Sequence, residues 1–175
     1  MNDSKRRLWT AGIAAGSVGA ALAAVLLIGN PQEKSDDGRT DRQETVAERG
    51  QTVMPFDLEQ TTHHFTPTKT GGVQDVVADQ PDDTKQIGLI RTHLQEEATA
   101  FGRGDFGDPA QIHGDRMPGL AELEHGYERI EVRYRERPDG ATLTYTTAEP
   151  VLVDALHDWF EAQLSDHGDH AETGH

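Results

Sequence analysis

Two matched pairs of histidine and glutamate are the residues in this sequence whose spacing could do chemistry. His93 precedes Glu97 by four positions, and His157 precedes Glu161 by four positions. Residues four apart lie one turn apart on the same side of a helix. Each pair could therefore supply two ligands to one metal ion, or its carboxylate could orient the imidazole. A structural hydrogen bond within each pair is the alternative interpretation.

Further histidines extend this set of candidate ligands. His113 and Met117 lie four residues apart in an irregular segment, and His167 stands at the end of the second predicted helix. Only one of the neighbours His63 and His64 can face a shared site, because adjacent side chains of a strand point to opposite faces. We assign His64 to that position. The predicted metal ligands are His64, His93, Glu97, His113, Met117, His157, Glu161 and His167.

The absence of cysteine narrows the chemistry of such a site. Neither disulfides nor thiolate metal sites can form without it. A metal site would use imidazole, carboxylate and thioether ligands, a set that suits copper or zinc. A copper or zinc ion is therefore the predicted cofactor.

The two histidine–glutamate pairs lie on predicted helices that each follow a strand hairpin. Strand candidates at residues 61–66 and 72–78 precede a helix whose apolar residues recur at helical spacing over 87–101. In the second half, an alternating strand at 130–134 and a return strand at 142–147 precede another such helix. The order predicts an α+β fold in which two ββα repeats form an antiparallel sheet with helices packed on one face.

The N-terminus predicts a membrane anchor. Lys5, Arg6 and Arg7 precede an apolar run over residues 8–28. A helix of about this length crosses a bilayer, and its basic flank should stay cytoplasmic. We predict an uncleaved, single-pass transmembrane helix, with a cleaved secretory signal as the alternative. In either case the rest of a bacterial chain would lie in the periplasm or outside the cell.

The remaining chain has room for one folded domain. Residues 31–52 are polar and charged with almost no apolar side chains, which predicts a flexible linker. The predicted organisation is an anchor or signal at 1–30, this linker at 31–52, an exported α+β domain at 53–170 and a tail at 171–175.

The net charge of −15 limits the partners. An acidic surface argues against nucleic acid and anionic lipid as partners, and it is compatible with cation binding. Adaptation to a salty environment is an alternative cause, since four lysines stand against twelve arginines. The predicted partners are the membrane through the N-terminal helix, a metal ion and a protein of the cell envelope.

Sequence motifs for catalysis are missing. The chain has no Gly-x-Ser-x-Gly elbow, phosphate-binding loop, dinucleotide fingerprint or His-Glu-x-x-His motif. The irregular segment at residues 104–126 is long enough to be functional, although a surface connector is the alternative. Asp105, Asp108 and His113 within it could form an acid–base group, but they are also ordinary loop formers. An enzyme is therefore the less favoured class.

One stretch of this irregular segment, GDFGDPAQIHGDRMPGL, carries a resemblance to a known group. With the segments around it, from His64 to Asp169, it resembles small exported bacterial proteins of uncharacterised function that are often labelled aspartate carbamoyltransferase. The chain is far too short for the two nucleotide-fold-like domains of that enzyme, and it lacks a counterpart of its Ser-Thr-Arg-Thr motif. The resemblance implies one compact exported unit and supplies no established catalytic residues.

The sequence thus predicts an exported, membrane-tethered, non-enzymatic protein that binds copper or zinc through histidine, glutamate and methionine ligands. The alternative is a structural or partner-binding module of the cell envelope whose histidines are merely packed.

Overall fold

A computed structural model of the chain describes residues 31–174. The predicted membrane anchor at residues 8–28 lies outside this range. Within residues 31–174, no helix is both long and apolar enough to cross a membrane.

A five-stranded mixed sheet lies at the centre of the described residues. Its strands, in the spatial order β3-β4-β2-β1-β5, are β1 (Thr61–Thr68), β2 (Gly71–Ala78), β3 (Glu131–Arg137), β4 (Gly140–Thr146) and β5 (Ala171–Thr173). The pairs β1–β2, β2–β4 and β3–β4 are antiparallel, whereas β5 pairs parallel with β1. The predicted α+β class is confirmed. The sheet is not wholly antiparallel, however, because the predicted tail supplies β5, which pairs with the edge of β1 that would otherwise be exposed.

Two long helices, α2 (Thr84–Phe101) and α5 (Pro150–His167), cover one face of this sheet. Helix α2 packs on β4, β3 and β2, while α5 packs on β2, β1 and β5. The Asp83 side chain accepts the backbone N–H groups of Lys85 and Gln86 and so caps α2. Pro150 opens α5 at a position where its missing N–H leaves no helical hydrogen bond unmade.

The core lies between the sheet and these two helices and is rich in aromatic rings. Trp159 packs edge-on against Tyr145, with ring centres 5.7 Å apart, and against Phe101 at 6.0 Å. Phe160 lies on Phe65 at 5.1 Å. Its ring also covers Gly72, where a β-carbon would clash with it. A large aromatic side chain on α5 thus requires the smallest residue on β2.

Residues 31–52, predicted to form a flexible linker, lie within the helix α1 (Pro31–Val53). The helix packs against α5 and the short helix α3 (Gly107–His113). Val46 is only 2 % exposed, and the Gln43 side chain donates to the backbone oxygen of Ser165 at 3.0 Å. One buried valine and a few polar contacts hold this helix against the domain. The polar composition of the segment gives no sign of these contacts.

The irregular segment is more regular than the sequence indicates. It contains α3 and a second short helix, α4 (Leu120–Gly126). Gly114 ends α3 with a φ of 91°, a left-handed conformation that favours glycine. Met117 and Leu120 are buried in the core, so this part of the chain contributes to the packing of the domain.

The packing of α1 predicts the effect of truncating its buried valine. Val46→Ala removes two buried carbon atoms, so it should lower the free energy of unfolding by about 1.5 kcal/mol. Urea denaturation at 25 °C measures this change, with Glu48→Ala, an exposed site on the same helix, as the control. Equal stability of the two variants would show that α1 does not pack as described.

Candidate functional site: the histidine cavity

A small cavity of about 20 Å³ lies where β1, α2, α3 and α5 meet. We call it the histidine cavity, because its polar wall consists mainly of His63, His93, Glu97, His113 and His167. Its volume exceeds the roughly 10–15 Å³ that one water molecule needs. The cavity therefore has room for a single water molecule or a single metal ion.

Strand β1 presents His63 to the cavity. The alternation of the strand buries Thr61, His63 and Phe65 beneath the helices and places His64 on the opposite face of the sheet. There, His64 Nδ1 lies 3.8 Å from Glu172 Oε2. The sequence-based choice of His64 for the site is therefore corrected. Its neighbour His63 lines the cavity instead. The large apolar Phe65, in phase with His63, was the sequence signal for the inward face.

Helix α2 supplies the predicted pair His93 and Glu97, whose Nε2 and Oε1 atoms lie 3.6 Å apart. Burial lowers the pKa of His93, against the opposing charges of Asp108 and Glu96. Burial, together with the charge of Asp108, raises the pKa of Glu97 to about 8. Both shifts favour the uncharged forms. At pH 7 the contact therefore joins a neutral imidazole to a protonated carboxyl group and is not an ion pair.

His113, the last residue of α3, is held by a carboxylate on α5. Its Nδ1 lies 2.9 Å from Asp166 Oδ2, and both side chains are almost completely buried. The Arg42 guanidinium on α1 donates to both oxygens of Asp166. Burial acts to raise the pKa of Asp166, but the hydrogen bonds from His113 and Arg42 outweigh it and lower that pKa. An ionised Asp166 thus accepts the Nδ1–H of His113.

His167 lies at the end of α5, between the two other imidazoles. Its ring stacks on that of His63 with centres 5.1 Å apart, and it meets the ring of His113 edge-on at 5.0 Å. Its Nε2 lies 3.2 Å from Gln163 Oε1. Burial lowers the pKa of His63 to about 3 and the pKa of His167 well below its ordinary value. Both imidazoles are therefore neutral at pH 7.

Each of these three imidazoles has a nitrogen available for a ligand. The hydrogen bonds of His113 and His167 engage one nitrogen each, which leaves Nε2 of the former and Nδ1 of the latter. The Nδ1 of His63 is buried and has no hydrogen-bond partner among the described residues. As they stand, however, no three His, Asp or Glu side chains within residues 31–174 are grouped closely enough to hold a metal ion.

The second predicted pair does not join this site. His157 Nε2 donates to the backbone oxygens of Thr68 and Gly71, both at 3.0 Å, and so holds the β1–β2 turn. Glu161 is exposed. Met117 is buried in the core, whereas Met54, just after α1, lines the cavity. The structure thus brings together four of the predicted ligands: His93, Glu97, His113 and His167.

Comparisons of the chain with protein-family models, with curated proteins and with solved structures found no match. The function is therefore inferred from the geometry of the histidine cavity.

Proposed function

We propose that this protein binds one transition-metal ion, copper or zinc, in the histidine cavity. The observation that carries the proposal is the convergence of three imidazoles, His63, His113 and His167, whose neighbouring ring centres lie 5.0–5.1 Å apart. Two imidazoles on one tetrahedral zinc ion have ring centres roughly 5 Å apart, because the Zn–N bond is about 2.0–2.1 Å. The spacing within each of these two ring pairs is therefore compatible with a shared ion.

The nitrogens that would hold the ion are His63 Nδ1, His113 Nε2 and His167 Nδ1. The rings of His63 and His167 are stacked within 7° of parallel, so binding requires their rotation toward a common point. A buried nitrogen without a partner costs about 1–3 kcal/mol. Coordination of His63 Nδ1 would remove that penalty, which favours the rotation.

The surroundings of the three imidazoles support this assignment. Asp166 and Gln163 engage the outer nitrogens of His113 and His167, which resembles the way that outer hydrogen bonds orient metal-binding histidines. Burial keeps the pKa of His63 and of His167 low, and neutral imidazole is the form that binds metals. Glu97 and His93, which also line the cavity, are candidates for a fourth ligand.

We also propose that the protein acts outside the cytoplasm, tethered to the bacterial membrane. The apolar run at residues 8–28 and the basic residues before it support this location. Helix α1 begins soon after that run. The resemblance to small exported bacterial proteins points the same way. We further propose that the two halves, each a strand hairpin followed by a long helix, arose by duplication of a ββα unit.

A metal-free module of the cell envelope, which binds a protein partner, is the second candidate. The observation in its favour is that no ready-made metal group exists among residues 31–174. In that case the stacking of His63 on His167 and the hydrogen bond of His113 serve packing alone. Stability that no transition metal changes would favour this candidate.

Metal uptake by the full chain tests the proposal. After treatment with a chelator, we expect the tag-free protein to bind about one equivalent of zinc or copper. The melting temperature should then rise by about 5 °C or more, because a ligand bound only by the folded state stabilises it. Magnesium, which prefers oxygen ligands, serves as the control and should leave the melting temperature unchanged. No uptake of either transition metal would contradict the proposal.

A further inference from the structure

We propose that Arg42 of helix α1 is a positioning residue for the histidine cavity, acting on His113 through Asp166. The inference rests on the proposed metal function, because His113 matters here as a ligand. Arg42 donates from Nε and Nη2 to the two oxygens of Asp166. The same Nη2 also donates to the backbone oxygen of His113 at 3.3 Å. One guanidinium thus holds both partners of the buried hydrogen bond.

The hydrogen bond between Asp166 and His113 decides which nitrogen of His113 can bind an ion. Asp166 Oδ2, 2.9 Å from His113 Nδ1, accepts the proton on that atom. In this Nδ1–H tautomer the lone pair of the ring lies on Nε2, the nitrogen that we assign to the ion. Without Arg42, the buried carboxylate would lose its countercharge and its orientation, and this choice of tautomer would weaken.

Arginine suits this position better than lysine would. Its planar guanidinium presents two parallel N–H groups to the two oxygens of a carboxylate, which fixes the plane of the carboxylate as well as its distance. Half of the Arg42 side chain is exposed while only 4 % of Asp166 is. The arginine therefore reaches from the surface of α1 to a buried carboxylate that contacts His113 of the cavity wall.

This geometry makes α1 a part of the site. The helix lies outside the two ββα units and was predicted from composition to be a linker. Its Arg42 nevertheless orients a candidate ligand that α3 carries. An ion in the cavity and the docking of α1 should therefore stabilise one another, since coupling between two sites is reciprocal.

The test compares Arg42→Gln with Gln43→Ala in the full chain. Both residues contact α5 from the same helix, but Gln43 donates to the backbone of Ser165 and makes no hydrogen bond to the side chain of His113 or Asp166. We expect Arg42→Gln to weaken zinc binding by about 10–100-fold, as loss of an outer hydrogen-bond partner does. Gln43→Ala should change the affinity by less than about threefold. Arg42→Lys, which keeps the charge without the paired N–H groups, should fall between them.

A second readout separates positioning from a general structural role. In the metal-free protein, ¹⁵N NMR of the His113 ring should show the Nδ1–H tautomer, and Arg42→Gln should shift it toward a mixture of tautomers. An unchanged tautomer in a folded Arg42→Gln protein would overturn the inference even if the unmodified chain binds zinc. A tautomer that depends on Arg42 in a chain that binds no metal would support the positioning and refute the metal proposal. If Arg42→Gln does not fold, Arg42→Lys gives the same two readouts.

Discussion

His63→Gln is expected to weaken zinc binding by about 100-fold or more, whereas His64→Gln should leave the affinity within about threefold. The first change removes a buried nitrogen that we assign to the ion, and loss of a ligand should exceed the roughly 10–100-fold effect of losing an outer partner. The second changes a side chain on the opposite face of the sheet, beside Glu172. Competition of the protein with a zinc-binding dye measures both affinities.

The two neighbours form a close control for each other. Both are histidines of β1, one position apart, so the two substitutions change the composition of the chain in the same way. Circular dichroism and urea denaturation would verify that both variants fold. An equal loss of affinity in the two variants, or no loss in either, would show that zinc is held elsewhere on the chain.

The metal-free protein is expected to be most stable near pH 6.5. The pKa of His63 is about 3 in the fold, against an ordinary value of 6.5, and the pKa values of His93 and His167 are also lowered. As the pH falls below 6.5, the unfolded chain binds protons that the folded chain does not. Each such group lowers the free energy of unfolding by up to about 1.4 kcal/mol per pH unit.

Glu97 acts in the opposite direction. Its pKa rises from 4.5 to about 8 on folding, so its stabilising effect is complete at low pH and is lost as the pH rises through this range. Below pH 6.5 the imidazoles of His63, His93 and His167 outweigh this one carboxyl group, so the free energy of unfolding should fall between pH 6.5 and 5. Above pH 6.5, Glu97 alone should make the stability decline toward pH 8.

Urea denaturation in the presence of a chelator, from pH 5 to 8.5, measures this profile. Glu97→Gln should abolish the decline above pH 6.5, because the amide does not titrate. Glu96→Gln, a change at the exposed neighbouring residue, should keep it. A stability that rises steadily from pH 6.5 to 8 in the unmodified protein would contradict the burial of a protonated Glu97.

Strong local signals made most of the fold predictable. The alternation of β3, the helical spacing of apolar residues in α2 and α5, and the turns of both hairpins appear in the structure near the predicted positions. Helix α1 and strand β5 were not predicted. Neither has an apolar face of its own, and each is held by partners distant in sequence, such as Asp166 for Arg42 and β1 for β5. The local pattern of polar and apolar residues gives no information about such distant contacts.

The candidate site was predictable in part for similar reasons. The spacing of His93 and Glu97 correctly placed both on one helix face beside the core. His157 and Glu161 have the same spacing but do not line the cavity. His157 on α5 points instead to the carbonyl groups of a hairpin turn. Spacing shows which residues share a face, but only tertiary packing decides what that face meets.

A zinc titration of the full chain followed by ¹⁵N NMR of the histidine rings tests the metal proposal most directly. The signals of His63, His113 and His167 should shift together and saturate at one equivalent, with zinc on Nδ1 of the first and third and on Nε2 of the second. The signals of His64 and His157, outside the cavity, should not move. Shifts confined to His64, His157 or the C-terminal histidines, or no shift at all, would contradict metal binding in the histidine cavity.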